Sequence, residues 1–202
     1  EKLYDYAVIQ INDTHPTMII PELIRQLNIR GITLNKAVDI VTRCVAYTNH
    51  TILSEALEKW PLSYIERVAP DIVGIIELLD NKIRRKVKDE GLYIIDSNET
   101  VDMAHLAIHY SFRVNVVASL HTKKKKNSEL VKFDNLYPNK FNNKTNGITF
   151  RRWLLKANPK LTEFISALIG SDFKQNADEL CKLERFTNDE GILTDLTEIK
   201  TY

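Results

Sequence analysis

The chain has 202 residues, enough to bury a sizeable core either as one large domain or as parts of two. Its 28 basic and 27 acidic residues give a formal net charge of +1, which argues against a strongly electrostatic partner such as bare nucleic acid. No apolar stretch approaches the length that crosses a membrane, and the first three residues do not open a signal peptide. We therefore expect a cytoplasmic location and no membrane partner.

The two cysteines, Cys44 and Cys181, each fall on a predicted helix among aliphatic neighbours. They are most simply interpreted as core thiols in a reducing compartment. Because no cysteines and histidines cluster at ligand spacing, no metal site is predicted.

The first predicted element is a strand from Tyr4 to Ile11, whose centre is apolar enough for burial on both faces. Pro16 and Pro21 then mark a helix entrance, because proline is tolerated in a first turn but not inside a helix. The polar residues between them are therefore expected in a strand-to-helix loop.

Two further helices are predicted from apolar stripes at helical spacing. One runs from Leu34 to Val45, with Thr33 as its N-cap, and the other covers residues 72–83. The basic run at 82–88 is interpreted as a solvated helix face, since no aromatic residues interleave it.

The later elements alternate less regularly. Residues 92–95 are short and β-prone, Met103 to Tyr110 predicts a helix, and Val114 to Leu120 predicts a buried strand. Asn158-Pro159 predicts the start of another helix, which ends at Gly170. Helices with few, separated strands indicate a helix-rich α/β fold.

Three short polar cassettes interrupt this amphipathic sequence. They are Asn12-Asp13-Thr14-His15-Pro16, Tyr47-Thr48-Asn49-His50-Thr51 and Asn143-Lys144-Thr145-Asn146-Gly147-Ile148-Thr149. Each gathers groups that suit a polyhydroxylated ligand, because every sugar hydroxyl both donates and accepts hydrogen bonds. The cassettes therefore indicate carbohydrate chemistry.

Asp13 and His15 of the first cassette are expected at the carboxyl end of the first strand. In open α/β sheets this is the edge where ligands bind. The alternative is that Asp13 merely caps the next helix and His15 bonds to the backbone. The presence of two further polar cassettes favours the binding interpretation.

The second and third cassettes leave similar alternatives open. His50, predicted between a helix and a second helix at residues 52–59, is either a sugar ligand or a structural histidine. In the third cassette the Asn-Gly turn exposes Asn146, and Arg151 with Arg152 follows at once. Paired arginines beside a turn are able to bind phosphate, although helix-surface arginines are commoner.

These motifs together resemble the central region of the glycogen and maltodextrin phosphorylases, the α-glucan phosphorylases. The resemblance rests on the three cassettes, on Glu55 to Pro61, on Met103-Ala104-His105-Leu106 and on Arg151-Arg152-Trp153. It runs in the same order, with similar gaps, from the first strand to at least Gly170.

The resemblance implies a GT-B-type enzyme of two Rossmann-like halves that is incomplete in this chain. Residues 1–145 would belong to the N-terminal half and residues 146–202 to the start of the C-terminal half. The parent enzyme would transfer a glucosyl unit from an α-1,4-glucan to phosphate, giving glucose 1-phosphate with retention. It would depend on pyridoxal phosphate and form a homo-oligomer.

The resemblance also implies roles for individual residues. Asp13 and His50 would act in catalysis, and Trp153 would lie in the neighbourhood of the cofactor. Four residues would bind substrate: His15, Asn49, Thr51 and Asn146.

The isolated chain is expected to be inactive, and two departures from the family pattern bear on the activity of the parent enzyme. The lysine that carries pyridoxal phosphate in the family is expected beyond Tyr202, because no lysine here lies in that motif. The chain also departs from the family pattern at 109–117, where Phe112 and Val116 are expected to crowd a close-packed junction, and at the lysines 123–126. The alternative function is a non-catalytic glucan-binding or scaffold domain.

Overall fold

The computed structural model of the chain describes residues 2–50, 57–117 and 130–201. It divides into two compact units, Glu1–Asn146 and Gly147–Tyr202. The interpretation of these units as parts of two catalytic halves stays a prediction. Within the described residues, no helix is both long and apolar enough to cross a membrane.

The first unit contains six strands and six helices among its described residues. The strands are β1 (Ile9–Asn12), β2 (Val45–Asn49), β3 (Lys59–Pro61), β4 (Thr100–Asp102), β5 (Arg113–Val116) and β6 (Phe141–Asn143). The helices are α1 (Ile19–Ile29), α2 (Leu34–Cys44), α3 (Leu62–Val68), α4 (Pro70–Lys86), α5 (Met103–His109) and α6 (Leu130–Leu136). Short 3-10 turns cover Leu3–Asp5 and Glu90–Leu92.

Four parallel strands form the main sheet, in the order β1-β2-β5-β6. Parallel neighbours need crossover connections, and helices lie between each consecutive pair along the chain. The register pairs Asn12 with Thr48, Asn49 with Val116, and Val116 with Asn143. The carboxyl ends of all four strands therefore meet at one edge, which confirms the helix-rich α/β class with a parallel sheet.

The core of this unit forms where the apolar stripes of the helices meet the sheet. Helix α1 packs against α2 and α4, and α3 packs against α4. The fully buried members of the core include Ile11, Ile20, Ile24, Val41, Tyr47, Ile76, Leu79, Ile94, Leu106 and Val114. Burial of each aliphatic side chain stabilises the fold by roughly 1.5–3 kcal/mol.

A small antiparallel pair lies beside the main sheet. Strands β3 and β4 pair Lys59 with Asp102 and Trp60 with Val101. The turn before β4 holds Glu99 in the left-handed region, at φ 55°. This pair fixes the backbone of residue 58, which contributes to the candidate site below.

The second unit begins with a π-helical segment, Arg151–Lys156, followed by α7 (Pro159–Ile169) and α8 (Glu190–Thr201). The Asn158 side chain caps α7 by accepting a hydrogen bond from Leu161 N at 3.0 Å. Gly170 ends it at φ 84°, a conformation that suits glycine. The predicted start and end of this helix are confirmed. Between α7 and α8 lie 3-10 segments at Asp172–Lys174 and Ala177–Phe186.

Several sequence-based boundaries were wrong. Tyr4 and Asp5 lie in a 3-10 turn, so the first strand is shorter than expected. Val45 starts a strand instead of ending a helix, and Lys59 lies in β3 instead of the predicted helix at 52–59, of which residues 52–56 lie outside the described residues. Cys181 is exposed, whereas Cys44 is buried as expected.

Candidate functional site

Asp13 stands directly after β1, at the shared carboxyl edge of the sheet. Its backbone N–H donates to Thr48 O at 2.9 Å, so the chain is still tied to β2 where the loop begins. Its φ of 64° lies in the left-handed region, which aspartate tolerates better than most residues. One carboxylate oxygen accepts a hydrogen bond from Thr14 N at 2.9 Å. Strained backbone of this kind clusters at functional sites.

His50 follows β2 at the same edge and is exposed. Its Nε2 makes a short hydrogen bond with Asn12 Oδ1. Because a carbonyl oxygen only accepts, Nε2 is the donor and Nδ1 of the neutral ring is left as an acceptor. The imidazole is therefore presented in one tautomer by the neighbouring strand.

Beneath this edge lie Tyr47 and Asn49, which are 0% and 1% exposed. Within the described part of the chain, neither the Tyr47 hydroxyl nor Asn49 Oδ1 has a hydrogen-bond partner of normal geometry. Burial raises the pKa of the Tyr47 hydroxyl far above its ordinary value, and the negative charge of Asp13 acts in the same direction.

A row of polar side chains crosses the sheet just before the edge. Thr48 Oγ1 donates to Asn115 Oδ1 at 2.8 Å and accepts a hydrogen bond from Gln10 Nε2. The row spans β1, β2 and β5, so the polar groups that precede the site are satisfied by one another.

His15 lies in the loop that carries Asp13, and it pairs with Glu58. Its Nδ1 is 3.1 Å from Glu58 Oε2, and the same oxygen accepts a hydrogen bond from Thr14 Oγ1 at 2.8 Å. The His15 side chain is 73% exposed and that of Glu58 is 26% exposed. The loop is thus anchored to the start of β3 on one side and open on the other.

Asn146 approaches the edge from the loop after β6. Lys144 N donates to Val116 O at 2.9 Å, and Asn146 N donates to Val117 O at 3.0 Å, so the third cassette continues alongside β5 after the strand ends. The Asn146 side chain is exposed. The backbone of this cassette is therefore held while its amide remains accessible.

The structure brings four described residues from the predicted set to the surface at one sheet edge: Asp13, His15, His50 and Asn146. Asn49 lies at the same edge but below the surface. Thr51 is outside the described residues, and Trp153 belongs to the second unit. The roles assigned to these residues stay predictions.

Glu58 and Asn12, the partners of the two histidines, were not predicted from the sequence. Glu58 belongs to the motif Glu55 to Pro61, but nothing in its local pattern indicates a contact 44 residues back along the chain. Only the pairing of β3 with β4 places it there, and neither strand was predicted.

Phe112 and Val116, two of the positions that depart from the family pattern, lie within the described residues. Phe112 N donates to Val45 O at 2.8 Å, at the amino end of β5 and so at the opposite edge of the sheet, and its side chain is 40% exposed. Val116 is 3% exposed within β5. The crowding expected at these two residues concerns a junction near the glucose and the cofactor and stays a prediction; the lysines 123–126 lie outside the described residues.

A lysine that holds pyridoxal phosphate needs an amine that is both deprotonated and accessible. Lys140 is the described lysine whose pKa burial lowers, to about 8, as a Schiff-base lysine would need. However, its Nζ donates to Ile108 O at 2.9 Å and to His109 O at 3.1 Å, so the amine is already engaged. Trp153, expected near the cofactor, is 67% exposed.

The chain is similar to carbohydrate phosphorylases along its whole length. The family model of the carbohydrate phosphorylases matches residues 1–202. The chain is 54% identical to maltodextrin phosphorylase of Streptococcus pneumoniae serotype 4 over 200 residues, which cover 99% of this chain and 27% of the relative. It is 41% identical to glycogen phosphorylase of Bacillus subtilis, over 95% of this chain and 25% of the relative.

The human muscle form of glycogen phosphorylase is 39% identical over 97% of this chain and 25% of its own length. The chain thus spans about a quarter of the length of the curated relatives it matches. Because the family model covers every residue and the polar cassettes converge at one sheet edge, the chain belongs to the carbohydrate phosphorylase family.

Proposed function

We propose that this chain supplies part of the glucan-binding and catalytic cleft of an α-glucan phosphorylase. The parent protein transfers a terminal glucosyl unit from an α-1,4-glucan to phosphate and gives glucose 1-phosphate with retention. The observation that carries the proposal is the meeting of Asp13, His15, His50 and Asn146 at one carboxyl edge. The family membership supports phosphorolysis as the reaction class.

Each residue has a role that suits its geometry. His50, fixed by Asn12 in one tautomer, contacts the glucosyl unit near its 6-hydroxyl and C1. Asp13 holds a carboxylate where an oxocarbenium-like centre develops positive charge. His15 binds the glucan side of the cleft, and Asn146 bonds the glucosyl unit through its exposed amide.

The remaining parts of the proposal concern the parent protein. Pyridoxal phosphate supplies acid–base chemistry through its phosphate group when it is bound, with Trp153 in its neighbourhood. The parent has the two Rossmann-like halves of a GT-B enzyme, works in the cytoplasm and forms a homo-oligomer. Asn49 and Thr51 complete the substrate-binding residues.

The test is a kinetic comparison of substitutions in the parent protein. His50→Ala and Asp13→Asn should each lower turnover about a hundredfold to a thousandfold, because a lost preorganised charge partner costs that much. His15→Ala should instead raise the half-saturating glucan concentration, with a milder effect on turnover. Phosphate-dependent release of glucose 1-phosphate from maltoheptaose is the measurement.

Asp71→Asn is the matched control, since the Asp71 side chain is 74% exposed on α4. This variant should keep the turnover and the half-saturating glucan concentration of the unsubstituted protein. Near-normal turnover in correctly folded His50→Ala protein would contradict the catalytic role and favour the structural-histidine interpretation.

One observation favours a second candidate, a non-catalytic glucan-binding domain. The sheet edge carries groups that suit sugar hydroxyls, whereas Lys140, the described lysine whose pKa burial lowers, has its amine engaged by two carbonyl oxygens. Glucan binding measured by calorimetry in a parent protein that releases no glucose 1-phosphate would support this candidate against the enzyme.

A further inference from the structure

Glu58 connects the loop after β1 to the start of β3. Its Oε2 accepts a hydrogen bond from Thr14 Oγ1 at 2.8 Å and lies 3.1 Å from His15 Nδ1. One carboxylate oxygen therefore holds two consecutive residues of the loop. Thr14 is buried, at 2% exposure, so the inner contact is shielded from water while the outer contact reaches the surface.

The backbone around Glu58 is itself fixed. Glu58 O accepts a hydrogen bond from Met103 N at 3.1 Å, directly after β4. On the other side, Lys59 pairs with Asp102 in the β3–β4 register, and its Nζ lies 3.2 Å from Asp102 Oδ2. Asp102 in turn caps α5 through His105 N at 2.9 Å. The carboxylate thus projects from a rigid support.

This arrangement decides which nitrogen of His15 faces a ligand. An ionised carboxylate only accepts hydrogen bonds, so Nδ1 of His15 must carry the proton. In the neutral ring, Nε2 is then left with its lone pair. The ring of His15 is mostly exposed, and Nε2 is the nitrogen free of the Glu58 contact.

We propose that Glu58 is a positioning residue of the saccharide site, which orients His15 and fixes its Nδ1–H tautomer so that Nε2 accepts a glucan hydroxyl. The same carboxylate holds the loop in the conformation that carries Asp13. This inference rests on the proposed function, because a saccharide hydroxyl is the donor that Nε2 meets.

The first test reads the tautomer directly. In the full protein with 15N-labelled histidine, at a pH where the imidazole is neutral, long-range proton–nitrogen correlation should show Nδ1–H at His15. Glu58→Ala should release this preference, so that both tautomers exchange. Glu58→Gln keeps an acceptor oxygen and should retain Nδ1–H, as should Thr14→Val, which removes only the other donor. An Nε2–H signal for His15 in the unsubstituted protein, or an unchanged Nδ1–H signal in Glu58→Ala, would overturn the proposal.

The second test is a double-mutant cycle on glucan use. Glu58→Ala should raise the half-saturating glucan concentration about tenfold, which corresponds to about 1.4 kcal/mol of binding, and should change turnover by less than about threefold. If Glu58 acts through His15, the double variant with His15→Ala should be no worse than His15→Ala alone. Additive losses would show that Glu58 acts independently of His15 and would overturn the proposal.

Glu66→Ala is the matched control, because Glu66 is an exposed glutamate on α3, away from the loop. It should leave the tautomer and both kinetic constants unchanged. The two tests also separate this inference from the proposed function. A protein that releases no glucose 1-phosphate, yet shows the Glu58-dependent tautomer, contradicts the function and leaves the orientation of His15 supported.

Discussion

At the scale of single residues, His109 is a buried histidine whose two ring nitrogens are both used inside the fold. Nε2 donates to Leu92 O at 2.7 Å, and Nδ1 accepts from the Tyr137 hydroxyl at 2.8 Å. Burial lowers the pKa of His109 from its ordinary 6.5 to about 4, and the nearby positive charges of His105, Lys140 and Lys86 lower it further. The fold therefore requires the neutral ring.

The consequence is a loss of stability in acid. Above pH 6.5 the ring is neutral in both the folded and the unfolded chain, so His109 adds no pH dependence. Between pH 6.5 and 4 the unfolded chain takes up the proton and the folded chain does not, and the free energy of unfolding falls by up to about 3 kcal/mol. Chemical denaturation at a series of pH values measures this slope.

His109→Gln isolates the effect, because glutamine is able to donate to Leu92 O and accept from Tyr137 without titrating. Its slope between pH 6.5 and 4 should be flatter than that of the unsubstituted protein, whatever its stability at neutral pH. Asn98→Gln, at an exposed position that does not titrate, is the control and should keep the original slope. Equal slopes in all three proteins would contradict the assignment to His109.

The candidate site residues could be predicted from the sequence where polar groups cluster within a few consecutive positions. The cassettes that hold Asp13, His50 and Asn146 are dense in polar groups, and the strand before Asp13 indicated its edge position. Their partners were not predictable, because Asn12 reaches His50 across 38 positions of the chain and Glu58 reaches Thr14 across 44. Such contacts depend on strand register, which the residues themselves do not encode locally.

At the scale of elements, Asp80 of α4 explains why the β-prone residues 92–95 form no full strand. Its Oδ1 accepts hydrogen bonds from Ile94 N at 2.9 Å and Ile95 N at 3.1 Å. Its other oxygen pairs with Arg84, which also donates to Ile95 O. Because these backbone N–H and C=O groups bond to side chains of α4, they are not available for a strand ladder. The segment is joined to β4 by one isolated β-bridge, between Ile95 and Val101.

Asp80→Ala should therefore destabilise the fold by about 3–5 kcal/mol, because it leaves buried N–H groups and an arginine without their partner. Asp80→Asn keeps one acceptor oxygen and should cost about half as much. Asp71→Ala, on the same helix but exposed, should change stability by less than about 0.5 kcal/mol. Urea denaturation compares the three variants, and a cost below about 1 kcal/mol for Asp80→Ala would show that the segment is held by other contacts.

The elements that were predicted correctly have strong local signals. Helix α7 has its Asn158 cap, its proline and its terminal glycine, and α5 has a mainly apolar sequence that contains His105 and His109. Strand β2 was missed because Val45 continues the helical stripe of α2 without a break. Strand β6, Phe141–Asn143, was missed because two of its three residues are asparagine, which is rare in strands.

At the scale of the whole molecule, the helix-rich α/β class followed from the alternation of helices with few strands. The edge of the candidate site was predicted from one strand-to-helix loop, and only the register of the sheet extends it to four strands. What composition and periodicity did not provide is the reaction. That rests on the order and spacing of the cassettes, which the family match from residue 1 to residue 202 supports.

The last prediction concerns the 202-residue chain by itself. It should release no glucose 1-phosphate from maltoheptaose and phosphate, with or without added pyridoxal phosphate. The physical reason is that Lys140, whose pKa burial lowers to about 8, already donates to Ile108 O and His109 O, so its amine is not presented to the cofactor. The parent protein, assayed at equal molarity, is the positive control, and heat-treated chain is the blank.

Borohydride trapping followed by peptide mapping tests cofactor attachment independently of turnover. Phosphate-dependent product above the blank, or a pyridoxyl group trapped on one specific lysine of this chain, would show that the segment contains a complete active site.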